Sequence, residues 1–172
     1  MSDTYYVKTF GGLEITNDNV TVNIVELFGK QLVNLLQVLL FHSEKPVQKD
    51  ELIDILWPES KNPSSALKFS IFRLRAELNE IEFFKDKEVI VTTRKGYILN
   101  PNLDWNIDFV ELEKAYNQIN DGSELLDEKE FKTARKIFRL YQGRFYASPS
   151  QLHWILQKQE IFRQMYVKTM MR

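Results

Sequence analysis

The 172-residue chain has no cysteine and sets 23 Lys and Arg against 24 Asp and Glu, a net charge of −1. That excludes disulfides and thiolate metal sites, and it excludes the overall basic character that marks many nucleic-acid binders, so any basic surface must be local. No stretch reaches the roughly 18 consecutive apolar residues needed to span a bilayer, and the start, MSDTYYVKTF, lacks the basic-then-apolar order of a signal peptide. A soluble, cytoplasmic protein with no membrane partner is expected, large enough for one or two domains that bury roughly 70% of the unfolded surface.

Residues 5–28 alternate β-rich runs (YYVKTF, LEI, VTVNIVEL) with turn signals at Gly11-Gly12 and Asn17-Asp18-Asn19, which predicts a small antiparallel sheet or meander. From Lys30 the period lengthens. Leu32, Leu35, Leu36, Leu39 and Leu40 fall on one helical stripe, and this helix should stop before Pro46. KDELIDILW gives a shorter helix through Leu52, Ile53 and Leu56, closed by Pro58. After the polar loop PESKNPS, Pro63 suits a helix start, with Ser64 or Ser65 available to accept the first orphan N–H groups.

The helix that follows contains ALKFSIFRLRAEL, residues 66–78. At about 100° per residue, Leu67, Ile71, Leu74 and Leu78 cluster within about 60° and form its buried stripe. Ser65, Phe69, Phe72, Arg73 and Ala76 fall on the opposite side, and Arg75 lies with Lys68 along one edge. VIVTT, Arg94-Lys95-Gly96 and YIL then predict a β-hairpin tipped with positive charge.

Residues 100–107, NPNLDWNI, read as a linker, and everything beyond is helical in period: Phe109, Leu112 and Tyr116, then Phe131, Ala134, Ile137, Phe138 and Tyr141, then Leu152, Ile155, Leu156 and Phe162. Three helices joined by NDGS and QGRFYASPS fit this pattern. The final run, FRQMYVKTMMR, has neither a C-cap glycine nor a polar tail, so a fragment of a longer protein is expected.

Sheet, helix, short helix, loop, long helix and charged hairpin is the order of a winged helix-turn-helix, in which a helix enters the major groove and a hairpin reaches the neighbouring minor groove. FGGLEI, PVQKDELIDILWPES, ALKFSIFRLRAEL and VIVTTRKGYIL together resemble the OmpR-type DNA-binding domain. The version in the SARP family (Streptomyces antibiotic regulatory protein-like activators) is the nearest, since it closes the second helix with Leu-Trp, here Leu56-Trp57, and ends the third with Leu-Arg-x-x-Leu, here Leu74 to Leu78. DFVELEKAY, LYQGRF and WILQKQEIFRQMY resemble the opening helices of the bacterial transcriptional activator domain that follows in that family, a tetratricopeptide-like array.

The resemblance implies an α+β fold: a winged helix-turn-helix at residues 1–102, including an N-terminal antiparallel sheet, then an incomplete all-α segment at 103–172. It implies a bacterial transcriptional activator that recognises double-stranded promoter DNA in direct repeats and recruits RNA polymerase, with a possible homodimer. Arg73 matches the base-reading or phosphate-contacting position of the recognition helix. Lys49 matches a basic position at the start of the second helix, and Arg94 and Lys95 match the wing. The loop before the recognition helix, Pro58, Glu59, Ser60 and Lys61, matches a segment that touches polymerase.

The residues themselves add Lys61, Asn62, Ser64, Ser65 and Lys68, which stand at or near a helix start where backbone N–H groups favour phosphate. Phe69 and Phe72 share the outward side of the same helix. They either meet thymine methyls or face protein, Phe72 by packing beneath the loop or wing or by joining an interface. The stem of Arg75 is expected to lie over core atoms.

A second class of function, a protein-interaction or dimerisation module with weak or no DNA binding, is favoured by those phenylalanines and by charge. Residues 1–103 carry 12 Lys and Arg and 14 Asp and Glu, a net −2, so tight non-specific binding by a monomer is not expected. No enzymatic role is expected. His42 and His153 are far apart in sequence, Asp127, Glu128 and Glu130 read as a helix-start charge run, and no Gly-rich phosphate loop, metal cluster or activated nucleophile is present. Neither cofactor nor metal is expected.

Overall fold

The structure, a computed structural model, describes residues 4–119, 128–147 and 152–171. The NDGS connection, Asp127 and the Ser-Pro-Ser of the next connection lie outside the described residues. The described chain divides into two compact units: residues 26–104, and residues 1–25 together with 105–172. The N-terminal strands thus group with the C-terminal helices.

In the discontinuous unit, β1 (Thr4–Lys8), β2 (Glu14–Asn17) and β3 (Val20–Asn23) form the expected meander, with Val7 opposite Ile15 and Asn17 opposite Val20. Asp18 takes the left-handed conformation (φ 52°) that a two-residue hairpin turn requires. Pairing of β2 with β3 ends at Glu14 and Asn23. VTVNIVEL is not one strand: after Asn23, Ile24–Leu27 closes into a helical turn, α1, with the N–H of Ile24 still donating to the carbonyl of Leu13 at 2.9 Å.

The stretch read as a linker contains β6 (Asp104–Ile107), which adds beside β1 to give the sheet order β3-β2-β1-β6. Its partner lies about a hundred residues earlier, so no local signal marks it. Trp105 from this strand lies 5.4 Å from the ring of Tyr5, centroid to centroid.

Helices α5 (Asp108–Gln118), α6 (Glu128–Leu140) and α7 (His153–Met170) follow, with α5 packed on α6 and α6 on α7. An aromatic cluster binds these helices to the sheet side. Phe10 lies 5.3 Å from Phe162 and 5.9 Å from Phe145, and Phe109 lies 5.5 Å from Phe145. Of the periodic residues of α6, Ala134 and Ile137 are buried, whereas Phe131 and Phe138 are exposed. They sit about 100° or more around the helix from Ile137, past the edge of the buried stripe.

At the head of α5, Asp108 holds the end of β1. One carboxylate oxygen accepts from the N–H groups of Thr9 (2.8 Å) and Phe10 (3.1 Å), and the other accepts from the Thr9 hydroxyl (2.5 Å). Burial pushes the Asp108 carboxyl above its ordinary value of 3.8, and the hydrogen bonds from Thr9 and from the Phe10, Thr9 and Phe109 backbone only partly reverse this.

The contiguous unit holds α2 (Lys30–Phe41), α3 (Lys49–Leu56), α4 (Pro63–Asn79), a 3₁₀ turn at Glu82–Phe84, and the hairpin β4 (Ile90–Thr93) to β5 (Gly96–Leu99). Every residue of α2 from Leu32 to Leu40 is buried, so its apolar surface is wider than the single stripe read from the leucines. In α4 the stripe Leu67, Ile71, Leu74 and Leu78 is buried as the 3.6 period requires, each side chain stabilising by about 1.5–3 kcal/mol. Its start differs from expectation. Asn62 is the N-cap without a side-chain cap bond, Pro63 opens the helix, and Ser64 and Ser65 lie inside it as exposed helical residues.

Asp108 carries a pH prediction. Its folded pKa exceeds the unfolded one, so the folded state holds the proton more tightly. The stability it contributes is complete below pH 3.8 and is lost as pH rises through the raised value. Asp108→Asn keeps an acceptor for the two N–H groups and a donor for the Thr9 hydroxyl. Its thermal midpoint is expected to climb relative to the parent chain as pH rises from 3 to 7, whereas Asp108→Ala, which orphans those donors, should lose about 2 kcal/mol or more. A constant Asn-minus-parent difference across that range, measured by circular dichroism melts, contradicts the assignment.

Candidate nucleic-acid interface

Three elements of the contiguous unit carry the sequence-derived site: the start of α3, helix α4 with the loop before it, and the β4–β5 turn. The hairpin is fixed to the turn before α3 by a two-way bridge. Val47 N–H donates to the Tyr97 carbonyl at 2.8 Å, and Tyr97 N–H returns a bond to Val47 at 3.0 Å. Gly96 makes that approach possible. Its φ is +143°, and a Cβ there would stand 1.9 Å from the Val47 carbonyl oxygen.

The hairpin is also strapped to α4. Arg75 donates through Nε and Nη2 to the Ile90 carbonyl (3.2 and 3.1 Å) and through Nη2 to the Thr92 hydroxyl (2.7 Å). Its partners are thus a backbone oxygen and a hydroxyl, not the carboxylate that an arginine at a helix edge suggests. At the turn, the Thr93 hydroxyl accepts the N–H groups of Lys95 (3.1 Å) and Gly96 (3.2 Å), which leaves the Arg94 and Lys95 side chains exposed at the tip.

On α4, Phe69 and Phe72 are 61% and 71% exposed, and Lys68 and Arg73 are exposed beside them. Arg73 pairs with Glu77 at 3.3 Å and lies 5.9 Å from the Phe69 ring centroid. An exposed i,i+4 pair of this kind is worth about 0.3–0.5 kcal/mol, less than the roughly 1–3 kcal/mol of a bidentate guanine contact. Glu77 therefore orients Arg73 without withholding it.

Pro58, Glu59, Ser60, Lys61 and Asn62 are all exposed in the loop before α4, where the Ser60 hydroxyl accepts from Asn62 N–H at 3.2 Å. Lys49, at the first position of α3, is exposed, with Nζ 5.8 Å above the Tyr97 ring. The structure thus brings Arg73 against Phe69, and Lys49 against Tyr97. Glu77 and Tyr97 were missed by sequence reasoning: the Arg73–Glu77 spacing was legible, while the meeting of Lys49 with Tyr97 depends on the Val47 bridge.

Residues 23–99 match the family described as "Transcriptional regulatory protein, C terminal". This segment belongs to that family. It is an OmpR-type winged helix, and the chain carries the DNA-binding domain of a transcriptional regulator, a regulatory class and not an enzyme class. The OmpR-type winged helix expected from the sequence agrees with this match.

Among solved structures, the chain is similar to Mycobacterium tuberculosis EmbR in complex with a low affinity phosphopeptide, with 17% identity and a TM-score of 0.63 over 96% of this chain and 43% of that one. The chain therefore spans less than half the length of that protein, and the likeness is one of fold. The DNA-binding domain of E. coli CadC matches at 25% identity and a TM-score of 0.41, over 54% of this chain and 87% of that one. No curated protein matches significantly.

Among the described residues no helix is long and apolar enough to cross a membrane, and no group of three or more His, Cys, Asp or Glu side chains is placed to hold a metal ion.

Gly96→Ala in the winged helix is expected to break the Val47–Tyr97 bridge and lower stability by more than about 2 kcal/mol in denaturant titrations. Gly29→Ala, whose added Cβ meets nothing within 4 Å and whose φ of −67° suits any residue, should cost clearly less; equal losses at the two glycines contradict this account of the wing.

Proposed function

We propose that the protein is a transcriptional activator that recognises direct repeats in promoter DNA and recruits RNA polymerase. The observation that carries the reading is the regulator-family match over residues 23–99, joined to exposed cations on α3, α4 and the hairpin turn. Arg73 reads a base edge or holds a phosphate. Phe69 and Phe72 flank it towards the groove, Lys68, Ser64, Ser65, Lys61 and Asn62 meet phosphates near the start of α4, and Lys49, Arg94 and Lys95 meet phosphates from the neighbouring elements. The loop from Pro58 to Lys61 is the polymerase contact. The division of labour is by chain order, with residues 1–102 for DNA and 103–172 for the activator or oligomerisation role, and the protein works in the bacterial cytoplasm as a homodimer on repeats.

Repeat binding is needed because the charge is unfavourable. With a net −2 over residues 1–103, one copy gains little long-range attraction to DNA, whereas two copies on adjacent half-sites add their contacts.

A second reading is favoured by the 61% and 71% exposure of Phe69 and Phe72: the outward face of α4 serves a protein partner, and DNA affinity is weak. The two readings separate by enrichment of genomic fragments on the purified chain at low salt. Arg73→Ala is expected to abolish preference for one repeat, while Lys95→Ala weakens all sequences alike and lowers the salt slope by about one unit. Equal loss on every sequence for Arg73→Ala rejects base reading. No enrichment at all, together with a homodimer dispersed by Phe72→Glu in sedimentation, selects the second reading.

A further inference from the structure

Phe131 and Phe138 on α6 are 56% and 58% exposed, left uncovered by α5 and α7, the two helices that pack on α6. They are seven residues apart, about 10 Å along the helix and within about 20° around it, so the two rings form one row. Arg135, Arg139 and Lys132, all exposed, follow over about the next 100° and form a second row beside it. Of the two carboxylates of α6, Glu130 falls towards the packed stripe and Glu128 on this arc, which therefore carries three cations against one acid.

These cations have no carboxylate partner. Among the described residues, no acid pairs with Lys132, Arg135 or Arg139. The opposite edge of α6 differs, since there Glu111 binds both Lys136 at 3.0 Å and Lys114 at 3.9 Å. On the α7 side Tyr141 stacks on Tyr166 with 4.6 Å between ring centroids, and Glu160 is held by Arg163 at 2.8 Å. A row of apolar rings bordered by unpaired positive charge thus faces solvent, an arrangement that marks a contact surface.

The pattern selects among occupants. A phosphate backbone meets the cations but leaves both rings in water, and a second copy docked α6 against α6 sets like charge against like charge. An amphipathic helix repeats its apolar positions at i, i+3 or i+4 and i+7, the spacing of Phe131 and Phe138, and carboxylates along one flank of it meet Arg135, Arg139 and Lys132. We propose that this face of α6 docks an acidic amphipathic helix of a protein partner, with the phenylalanines covering its apolar stripe and the three cations meeting its carboxylates. The inference rests on neither reading of the DNA interface, because α6 lies outside residues 23–99.

The test titrates the full chain with three synthetic peptides, each about 18 residues long so that an isolated helix can form, and follows the backbone amides of α6 by nuclear magnetic resonance. The peptides share one leucine stripe and carry glutamate, glutamine or lysine along its flank. The glutamate peptide is expected to shift the amides from Phe131 to Arg139, the glutamine peptide to bind about fivefold more weakly or worse, and the lysine peptide to have no effect. Phe138→Ala should weaken the glutamate peptide about tenfold. Arg135→Glu combined with Arg139→Glu, both at exposed positions, should reject the glutamate peptide and admit the lysine one, an exchange that loss of folding cannot produce. Equal binding of the three peptides, binding of none, or a double variant that keeps the preference for glutamate overturns the proposal. So does a response of these amides to a mixed-sequence duplex or to phosphatidylserine-containing vesicles without one to the glutamate peptide, and so does a homodimer dispersed by Phe138→Ala in sedimentation.

Discussion

The contiguous unit depends on the contact between Gly96 and the Val47 carbonyl. Only a residue without a Cβ lets the hairpin reach the turn ahead of α3, and the two hydrogen bonds between Val47 and Tyr97 follow from that closeness. The consequences reach the candidate interface at two points. Tyr97 comes to lie beneath Lys49, and the Arg94-Lys95 tip is held at a fixed distance from α3. Arg75 supplies the second fixed point by binding the other strand of the hairpin, through Ile90 and Thr92. A hairpin of two four-residue strands is marginal alone in water; here it is tied at both strands, and the cations at its tip have a defined orientation.

The same helix that accepts this strap presents the contact face. Arg73 and Arg75 are two residues apart, about 200° around α4, and this angle alone separates their roles. One reaches the hairpin, and the other stays in solvent with a weak carboxylate partner. A weak partner suits a side chain that must exchange it for DNA, because the exposed pair is worth less than the contact that replaces it. The phenylalanines have no such economy. Two aromatic rings in water on a helix surface are stabilised only by being covered, and a groove lined with thymine methyls or an apolar protein face would both cover them.

Within the discontinuous unit, Asp108 does comparable work by other means. It gathers three donors from the end of β1 at the head of α5, and it remains buried against the desolvation that raises its pKa. The sheet and the helices of this unit come from opposite ends of the sequence, and this carboxylate links them alongside the backbone bonds from Tyr146 to Thr9 and from Gly11 to Arg144. The aromatic cluster around Phe10, Phe145 and Phe162 adds apolar area to the same junction.

Much of this was legible in the chain itself. The buried stripe of α4, the meander, the charged hairpin and the outward placement of Phe69, Phe72 and Arg73 all follow from periods of 3.6 and 2 residues, which are local properties of a helix and a strand. The motifs around Leu56-Trp57 and Leu74 to Leu78 pointed to the regulator family that residues 23–99 match. What only the tertiary structure decided involves partners distant in sequence. Residues 104–107 are a strand because β1 lies beside them, VTVNIVEL turns helical after Asn23, and Arg75 finds a carbonyl 15 residues away. Periodicity fixes which way a side chain points from its own element; what it meets there is set by loop closure and packing between elements, and no local pattern encodes it.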